Sequence, residues 1–429
     1  MEAERREVLF LGRGPGAALR REIEARGCIV AGPPPGAAPV PVERLRAVVA
    51  NLPAGDPAEI CGWIRRNGRT LADYGIRLEV VSPDDATLGL AQSLARDEFR
   101  LPNVRVRTLP SHPMLAESIA RRHPGRTPRL NLDIAVADGR ERLRKVDEPL
   151  FQRAFSHCSR VTLIELSGGR SEARVFAAHM VVTGSYAGIW PQPAFVKLDS
   201  TEKIEREYRN YRDFAERYVP FGLRPNVQAT ITGAFRSLLV GDFVDNSESL
   251  WDLARRGVAS QAITSLADES LRGWWDQGYA ADPSRGSVAS AMKAANLWDA
   301  DRIVPSYPER AAEAGVAPDP SILRDRLFGL RQTYRHAPIH GDLHGENVRV
   351  RNGQAILIDM ANVVRGPISA DRAALETWLA FELPPEADKS RFGILPGRRR
   401  STGSTRPQRS VIRPARAIPH PDCDGWRAS

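Results

Sequence analysis

The chain has 429 residues, of which 42% are hydrophobic and 26% charged, as in an ordinary globular protein. This composition excludes a fully disordered chain, a collagen-like fibre and a disulfide-stapled miniprotein, and the length suffices for two or three domains. Most of the net charge of +9 arises in residues 389–429, which carry ten basic side chains against two acidic ones, a balance of +8. The rest of the chain is nearly neutral, which argues against a nucleic-acid-binding surface over the whole protein.

The four cysteines, Cys28, Cys61, Cys158 and Cys423, are far apart, and no histidines accompany them at metal-ligand spacing. The sequence therefore predicts reduced thiols without a zinc site. A charged N-terminus and the lack of a long apolar run predict a cytoplasmic protein that does not enter a membrane.

In residues 1–125, short apolar runs alternate with helical patterns, which predicts an α/β domain with a doubly wound parallel sheet. The predicted strands are 8–11, 28–31, 45–50, 78–81 and 104–108, and the predicted helices are 17–26, 57–74, 84–99 and 113–122.

Residues 126–150 contain proline, glycine and a charged stretch, and they are predicted to be a linker. From 151 to 388 the pattern is first rich in strands and then rich in helices. Residues 389–429 have no apolar periodicity and are predicted to be a disordered basic tail, with at most non-specific, salt-sensitive contacts to nucleic acid.

The most informative segment contains Asp342, Asn347 five residues later, and Asp359 at the end of an apolar strand. Asp342 is suited to accept a proton from an attacking hydroxyl. Asn347 and Asp359 offer hard oxygen ligands to Mg²⁺ on a nucleoside triphosphate.

This segment resembles the catalytic loop and metal-binding strand of the kinase-like phosphotransferases, the superfamily of aminoglycoside phosphotransferases and choline kinase. Over 155–385 the chain is most similar to bacterial ternary-complex-associated kinase-like domains. The resemblance implies an α+β bilobal protein-kinase-like domain that uses ATP and Mg²⁺ to phosphorylate a hydroxyl of a small-molecule or protein acceptor. It also implies that Asp371 is a structural aspartate that supports the catalytic loop.

Lys197 is one of only five lysines and lies in an apolar strand. In the helix that follows, Glu207 lies within an apolar stripe at 100° per residue, whereas Glu205 lies outside it. A buried carboxylate needs a partner, so Lys197 and Glu207 are predicted to form an ion pair that positions the lysine for the phosphates.

Two further segments are predicted to bind the nucleotide. The turn containing Gly168, Gly169 and Ser171 would cover the phosphates with backbone N–H groups. Asp242 and Phe243 end a strand where backbone groups would meet the adenine, although an ordinary strand end is the alternative. Glu172 places a carboxylate in the glycine-rich turn, and the C-terminal lobe is short. Both favour a second hypothesis, a catalytically weak or inactive kinase-like scaffold in a bacterial signalling or conflict system.

The N-terminal domain does not fit a dinucleotide-binding domain, because the glycine spacing is wrong and no acid follows the second strand. Its strand pattern resembles the receiver domain of response regulators, with an unrelated Rossmann-like domain as the alternative. The phosphoacceptor position holds Asn51, so we expect a protein-interaction module that cannot be phosphorylated.

The sequence does not identify the acceptor. Variable helices at about 250–330 are expected to form its cleft, and their tryptophans are expected to be core residues: Trp251, Trp274, Trp275 and Trp298.

Overall fold

The computed structural model describes residues 6–12, 14–32, 39–52, 56–121, 124–137, 142–166, 172–184, 188–190, 192–295, 297, 306–315 and 320–381. The described residues fall into two compact units. The first is drawn from 1–248, 261–273 and 349–363, and the second from 249–260, 274–348 and 364–429. The basic tail and Trp298 lie outside the described residues.

The first unit begins with five strands that pair in parallel in the order β2-β1-β3-β4-β5. The strands are β1 (Glu7–Leu11), β2 (Ile29–Ala31), β3 (Leu45–Asn51), β4 (Arg77–Ser82) and β5 (Val104–Thr108). The helices are α1 (Ala17–Glu24), α2 (Pro57–Asp73), α3 (Asp85–Leu94) and α4 (His112–Arg121).

Local chemistry explains where two of these helices begin. The carboxylate of Asp56 accepts a hydrogen bond from the N–H of Ala58, and Pro57 occupies the first helical position of α2. Asp84 caps α3 in the same way by accepting from the N–H of Thr87. The strands carry buried side chains in two core clusters, one shared with α2 and α3 and the other with α1 and α4.

A second, seven-stranded sheet follows in the order β11-β12-β10-β8-β7-β6, with β9 beside β8. Its strands are β6 (Asp133–Val136), β7 (Cys158–Glu165), β8 (Arg174–Val182), β9 (Gly188–Ile189), β10 (Ala194–Ser200), β11 (Val227–Thr232) and β12 (Arg236–Asp242). Its helices are α5 (Glu148–Ala154), α6 (Thr201–Asn210) and α7 (Glu216–Tyr218).

The segment predicted to be a linker, 126–150, instead supplies part of this sheet. Strand β6 pairs in parallel with β7, and α5 begins at Glu148, with Leu150 and Phe151 fully buried. A four-residue edge strand leaves little periodicity in the sequence. Pairing with β7 stabilises its extended conformation, so the local sequence pattern did not predict this strand.

The parallel-sheet domain and the second sheet share buried contacts within the first unit. Asp73 at the end of α2 accepts a hydrogen bond from the N–H of Ala234 at 2.8 Å, in the turn between β11 and β12. Arg153 of α5 donates to the backbone carbonyls of Asp73 and Thr232 at 2.7 and 2.6 Å. The turn at Ala234 also joins the core of the parallel-sheet domain.

The remaining elements contribute mainly to the second unit. The strands are β13 (Glu248–Ser249), β14 (Ser284–Ser287), β15 (Arg331–Tyr334), β16 (His336–Ile339), β17 (Val348–Arg351), β18 (Gln354–Leu357) and β19 (Val364–Pro367). The helices are α8 (Leu250–Arg255), α9 (Ser260–Ser265), α10 (Arg272–Ala280), α11 (Val288–Ala294), α12 (Ser306–Glu313), α13 (Pro320–Gly329) and α14 (Ala370–Phe381). None of the described helices has the length and apolar character needed to span a membrane.

Candidate active site

Lys197 lies on β10, a strand whose alternate side chains face different surroundings. Val196 and Leu198 are fully buried in the core that the sheet shares with α5. Because side chains alternate along a strand, Lys197 points to the opposite face of the sheet. It is nevertheless only 7% exposed, so its ammonium requires partners.

Two carboxylates of the first unit provide them. The Nζ atom of Lys197 lies 2.8 Å from Oε2 of Glu207 and 3.1 Å from Oδ1 of Asp359. Glu207 is buried on α6, the helix that begins directly after β10 and is capped by the side chain of Ser200. Glu205 is exposed, as the helical phase predicts.

One ammonium facing two carboxylates gives this cluster a formal charge of −1. Burial raises the pKa of Glu207 to about 7; Lys197 opposes that shift, and Asp359 adds to it. Burial alone would lower the pKa of Lys197, but Glu207 and Asp359 outweigh it, and the pKa lies above its ordinary value. The pKa of Glu207 rises mainly because of burial, and that of Lys197 rises because of its two carboxylate partners, so the cluster holds its protons tightly.

Asp359 adopts a left-handed backbone conformation, with φ of 58° and ψ of 78°. A residue other than glycine in this region costs roughly 1–3 kcal/mol and persists only when its surroundings fix it. Here the carboxylate accepts from the N–H of Ala361, and Asn210 donates to the carbonyls of Met360 and Ala361 at 3.0 and 3.2 Å. Helix α6 thus fixes both Lys197, through Glu207, and the turn that carries Asp359.

The second unit carries the predicted catalytic loop, 340–347. The side chain of Asp342 is 54% exposed, and its Oδ2 lies 4.0 Å from Nε2 of His344. Gly341, just before it, has φ of 74°, a conformation that favours glycine. The loop therefore presents a carboxylate at its surface, as a general base requires.

Asn347 is largely buried and fixes the shape of this loop. Its Nδ2 donates a hydrogen bond of 2.9 Å to the backbone carbonyl of Asp342. Because the amide nitrogen is used in this way, Oδ1 is the atom that could coordinate a cation.

Asp371, at the start of α14, holds the beginning of the loop. Its two carboxylate oxygens accept from the N–H groups of His340 and Gly341 at 2.7 and 3.1 Å. Burial raises the pKa of Asp371, while His340 and the two backbone donors oppose that change. This geometry is a structural one, in which the aspartate orients the backbone next to Asp342.

An aromatic group supports the other end of the loop. The ring of His344 stacks on Trp378 with centroids 5.5 Å apart, and Trp378 meets Trp251 edge to face at 4.6 Å. A Cβ atom on Gly345 would lie 2.5 Å from Trp378 and 3.1 Å from Trp251, so only glycine fits there. Trp251 is buried, as are Trp274 and Trp275.

The predicted nucleotide-binding segments are described only in part. Gly168, Gly169 and Ser171 lie outside the described residues, and Glu172 beside them is exposed. Asp242 pairs with Ala194, which precedes Lys197 by three residues on β10. Asp242 therefore lies about 10 Å from Lys197 along the strand direction.

Two backbone groups at this end of the strand already have hydrogen-bond partners within the protein. The N–H of Asp242 donates to the carbonyl of Asn226, and the carbonyl of Phe243 accepts from the N–H of Asp245. The Asp242 side chain is exposed and accepts from Gln228.

Sequence reasoning missed Asn210 and Trp378. Asn210 lies three residues after Glu207 and therefore shares its side of the helix, which was an available signal. The stacking of Trp378 on His344 joins residues far apart in the sequence and left no local pattern.

In the described part of the chain, no three His, Cys, Asp or Glu side chains gather as a metal site. A magnesium ion that arrives with a triphosphate needs fewer protein ligands, because phosphate oxygens and waters complete its shell. Asn347 and Asp359 each carry an oxygen of the type that Mg²⁺ prefers.

The strand ends of the parallel-sheet domain hold few groups suited to phosphorylation. Strand β3 ends at Asn51, β1 is followed by Gly12, and β5 is followed by Leu109. Ser82 at the end of β4 is buried and donates to the backbone carbonyl of Asp84. The nearby Asp56 and Asp84 serve as helix caps.

No protein-family model matches the chain, and no curated protein matches it. Solved structures similar to it include an aminoglycoside-3'-phosphotransferase of type VIII, with 20% identity, a TM-score of 0.32, and coverage of 51% of this chain and 78% of that one. A choline/ethanolamine kinase family protein from Mesorhizobium loti has 17% identity, a TM-score of 0.32 and coverage of 51% and 65%. An aminoglycoside phosphotransferase from Streptomyces rimosus has 14% identity, a TM-score of 0.32 and coverage of 59% and 87%.

Proposed function

We propose that this protein is an ATP- and Mg²⁺-dependent phosphotransferase that acts on a hydroxyl group. Asp342 is the general base, Asn347 and Asp359 are the metal ligands, and Lys197 binds the phosphates. Glu207 positions Lys197. The bound Mg²⁺ would neutralise phosphate charge and orient the triphosphate.

The observation that carries this proposal is the buried contact of Lys197 with both Glu207 and Asp359. Beside the buried carboxylate of Glu207, a second, partly exposed carboxylate, that of Asp359, is held in a costly backbone conformation next to the ammonium. Such strain is typical of functional sites. The cluster combines a cation for phosphate oxygens with an excess negative charge that favours a divalent cation.

The transfer step makes one bond and breaks another. The acceptor oxygen bonds to the γ-phosphorus as the bond from that phosphorus to the β,γ-bridging oxygen breaks, and ADP leaves. Asp342 takes the hydroxyl proton. Its exposure suits this role, because an acceptor can reach the carboxylate, and Asp371 keeps the loop in place.

The alternative is a nucleotide-binding scaffold without activity, and the exposed carboxylate of Glu172 next to the glycine turn favours it. Substitution of Asp342, the proposed base, distinguishes the two hypotheses. In D342N we expect MgATP to bind with unchanged affinity, while phosphate transfer falls about 100-fold or more.

Transfer is measured as MgADP formation with a panel of hydroxyl compounds that includes aminoglycosides, choline, glucosamine and water. E376Q, which removes an exposed charge on α14, is the control and should retain full activity. Equal ADP formation in the wild type and D342N would reject Asp342 as the base, and no transfer by the wild type would favour the scaffold.

We also propose that the parallel-sheet domain is a doubly wound, receiver-like module that binds a protein partner and is not phosphorylated. Asn51 at the end of β3 supports this, because its amide cannot act as a phosphoacceptor carboxylate, and Asp56 and Asp84 serve as helix caps.

A further inference from the structure

The first unit contains a cavity of about 450 Å³ on the apolar face of the second sheet. Met180, Ala194 and Val240 are buried residues of the α5 core that also line this cavity. Helix α5 covers the sheet only as far as Ala154, and the lining continues beyond the helix with Phe155 and His157. The volume lies within the range of small-molecule sites.

This cavity is separate from the candidate active site. Ala194 and Lys197 are three positions apart on β10, and because side chains alternate along a strand they face opposite sides of the sheet. The lysine faces α6, whereas the alanine faces the cavity.

The charged part of the lining is positive. It consists of Arg126 and Arg153, with no Asp or Glu among the described residues. Arg126 is exposed at the rim, and its charge acts on Cys158: burial raises the pKa of that thiol to about 11, while Arg129 and Arg126 oppose the change. The cations therefore project a positive potential into this part of the sheet.

Arg153 is more than nine-tenths buried, and its hydrogen bonds leave capacity for a ligand. Nη1 donates to two backbone carbonyls, those of Asp73 and Thr232, and Nε has no hydrogen-bond partner among the described residues. Asp73 lies nearby, but its Oδ1 accepts from Ala234. A buried, incompletely bonded guanidinium beside an apolar cavity is unusual, because leaving a buried donor unsatisfied is costly.

We propose that this cavity binds a small amphipathic carboxylate, with its apolar body on the sheet and its anionic head at the arginines. Guanidinium groups match carboxylates in geometry and charge. Met180, Ala194 and Val240 supply an apolar floor of small and medium side chains, which accommodates an alkyl or aromatic body. The site does not depend on the proposed phosphotransferase activity.

The test is direct binding to the full-length protein with decanoate as the probe and 1-decanol as its uncharged counterpart. Binding is followed by displacement of 8-anilinonaphthalene-1-sulfonate. We expect decanoate to displace the dye and decanol to do so at least tenfold more weakly. R126A should weaken decanoate binding about tenfold, the value of one charge-assisted hydrogen bond, and A229W should abolish it by filling the cavity.

R65A, which removes an exposed arginine of α2, is the matched control and should bind within twofold of the wild type. Equal affinities of the wild type, R126A and A229W would overturn the proposal, and so would equal affinities for decanoate and decanol. Because A229W could fail to fold, a diazirine-bearing decanoic acid provides a second measurement. Crosslinks to peptides containing 153–157 or 228–231 support the site, and crosslinks found only elsewhere reject it.

Discussion

The charge balance around Lys197 determines how this site responds to pH. Glu207 is almost fully buried, and its Oε2 lies 2.8 Å from Nζ of Lys197. Oδ1 of Asp359 lies 3.1 Å from the same nitrogen. The folded protein therefore favours a proton on this cluster more than the unfolded chain does.

We predict a measurable effect of Glu207 on the pH dependence of stability. Its pKa is raised from 4.5 to about 7 on folding. The folded state thus binds a proton that the unfolded state releases, and this contribution to stability is greatest below pH 4.5 and falls as the pH rises through 7. The free energy of unfolding, from urea denaturation at pH 4.5 and 7.5, should fall by roughly 2–3 kcal/mol more in the wild type than in E207Q.

The surface variant E205Q, on the same helix, provides the control and should follow the wild type. An equal pH dependence in the wild type and E207Q would show that Glu207 ionises normally in the folded state.

Part of this arrangement could be predicted from single residues. Lysine is rare in the chain, and the helical phase places Glu207 but not Glu205 on the buried side, so the pair of Lys197 and Glu207 followed from local pattern. The contact of Asn210 with the turn at Met360 joins residues 150 positions apart. The left-handed conformation of Asp359 depends on that turn. Neither the contact nor the conformation leaves a repeating pattern in the local sequence.

At the scale of elements, α14 and the catalytic loop behave as one structural feature. Asp371 accepts from two successive backbone N–H groups of the loop, and α14 also supplies Trp378, on which His344 stacks. The loop is thereby held at both ends by a single helix.

We expect D371N to destabilise the second unit. The amide replaces one acceptor oxygen with a donor, which leaves a buried backbone N–H without its partner at a cost of about 1–3 kcal/mol. E376Q, an exposed change on the same helix, should remain within about 0.5 kcal/mol of the wild type. Urea denaturation measures both, and equal stability of the two variants would show that the contacts of Asp371 contribute nothing.

Agreement between local signals, rather than length, separates the elements that were predicted well from strand β6. Helix α2 was expected at 57–74 and lies at Pro57–Asp73, because a capping aspartate, a proline and a long apolar period all agree. Strand β6 was missed, since four residues at a sheet edge gain their structure from pairing with β7.

At the scale of the whole molecule, the parallel-sheet domain is joined to the second sheet within one unit. Asp73, Arg153 and the turn at Ala234 form a buried hydrogen-bonded junction. The junction therefore links the parallel-sheet domain to the turn before β12, and β12 pairs with β10, the strand of Lys197. Residue patterns cannot predict such a junction, because it depends on groups about 80 and 160 positions apart.

We predict that R153M weakens this junction. Loss of the guanidinium removes the donors to two buried carbonyls, which should cost about 2–4 kcal/mol. In differential scanning calorimetry the wild type should unfold both sheets in one transition, and R153M should lower its midpoint by several degrees. R65M is the control on the surface of α2. An unchanged midpoint in R153M would show that the junction does not stabilise the protein.

Binding of MgATP to the full-length protein, measured by isothermal titration calorimetry, tests most directly the MgATP site on which the proposed function depends. We predict that the wild type binds ATP with Mg²⁺ and loses most of its affinity in EDTA. D359A should lose the magnesium-dependent affinity. The control D213A removes an exposed carboxylate of the same unit and should retain that affinity. Unchanged MgATP affinity in D359A, or no binding by the wild type, would contradict the assignment of this site.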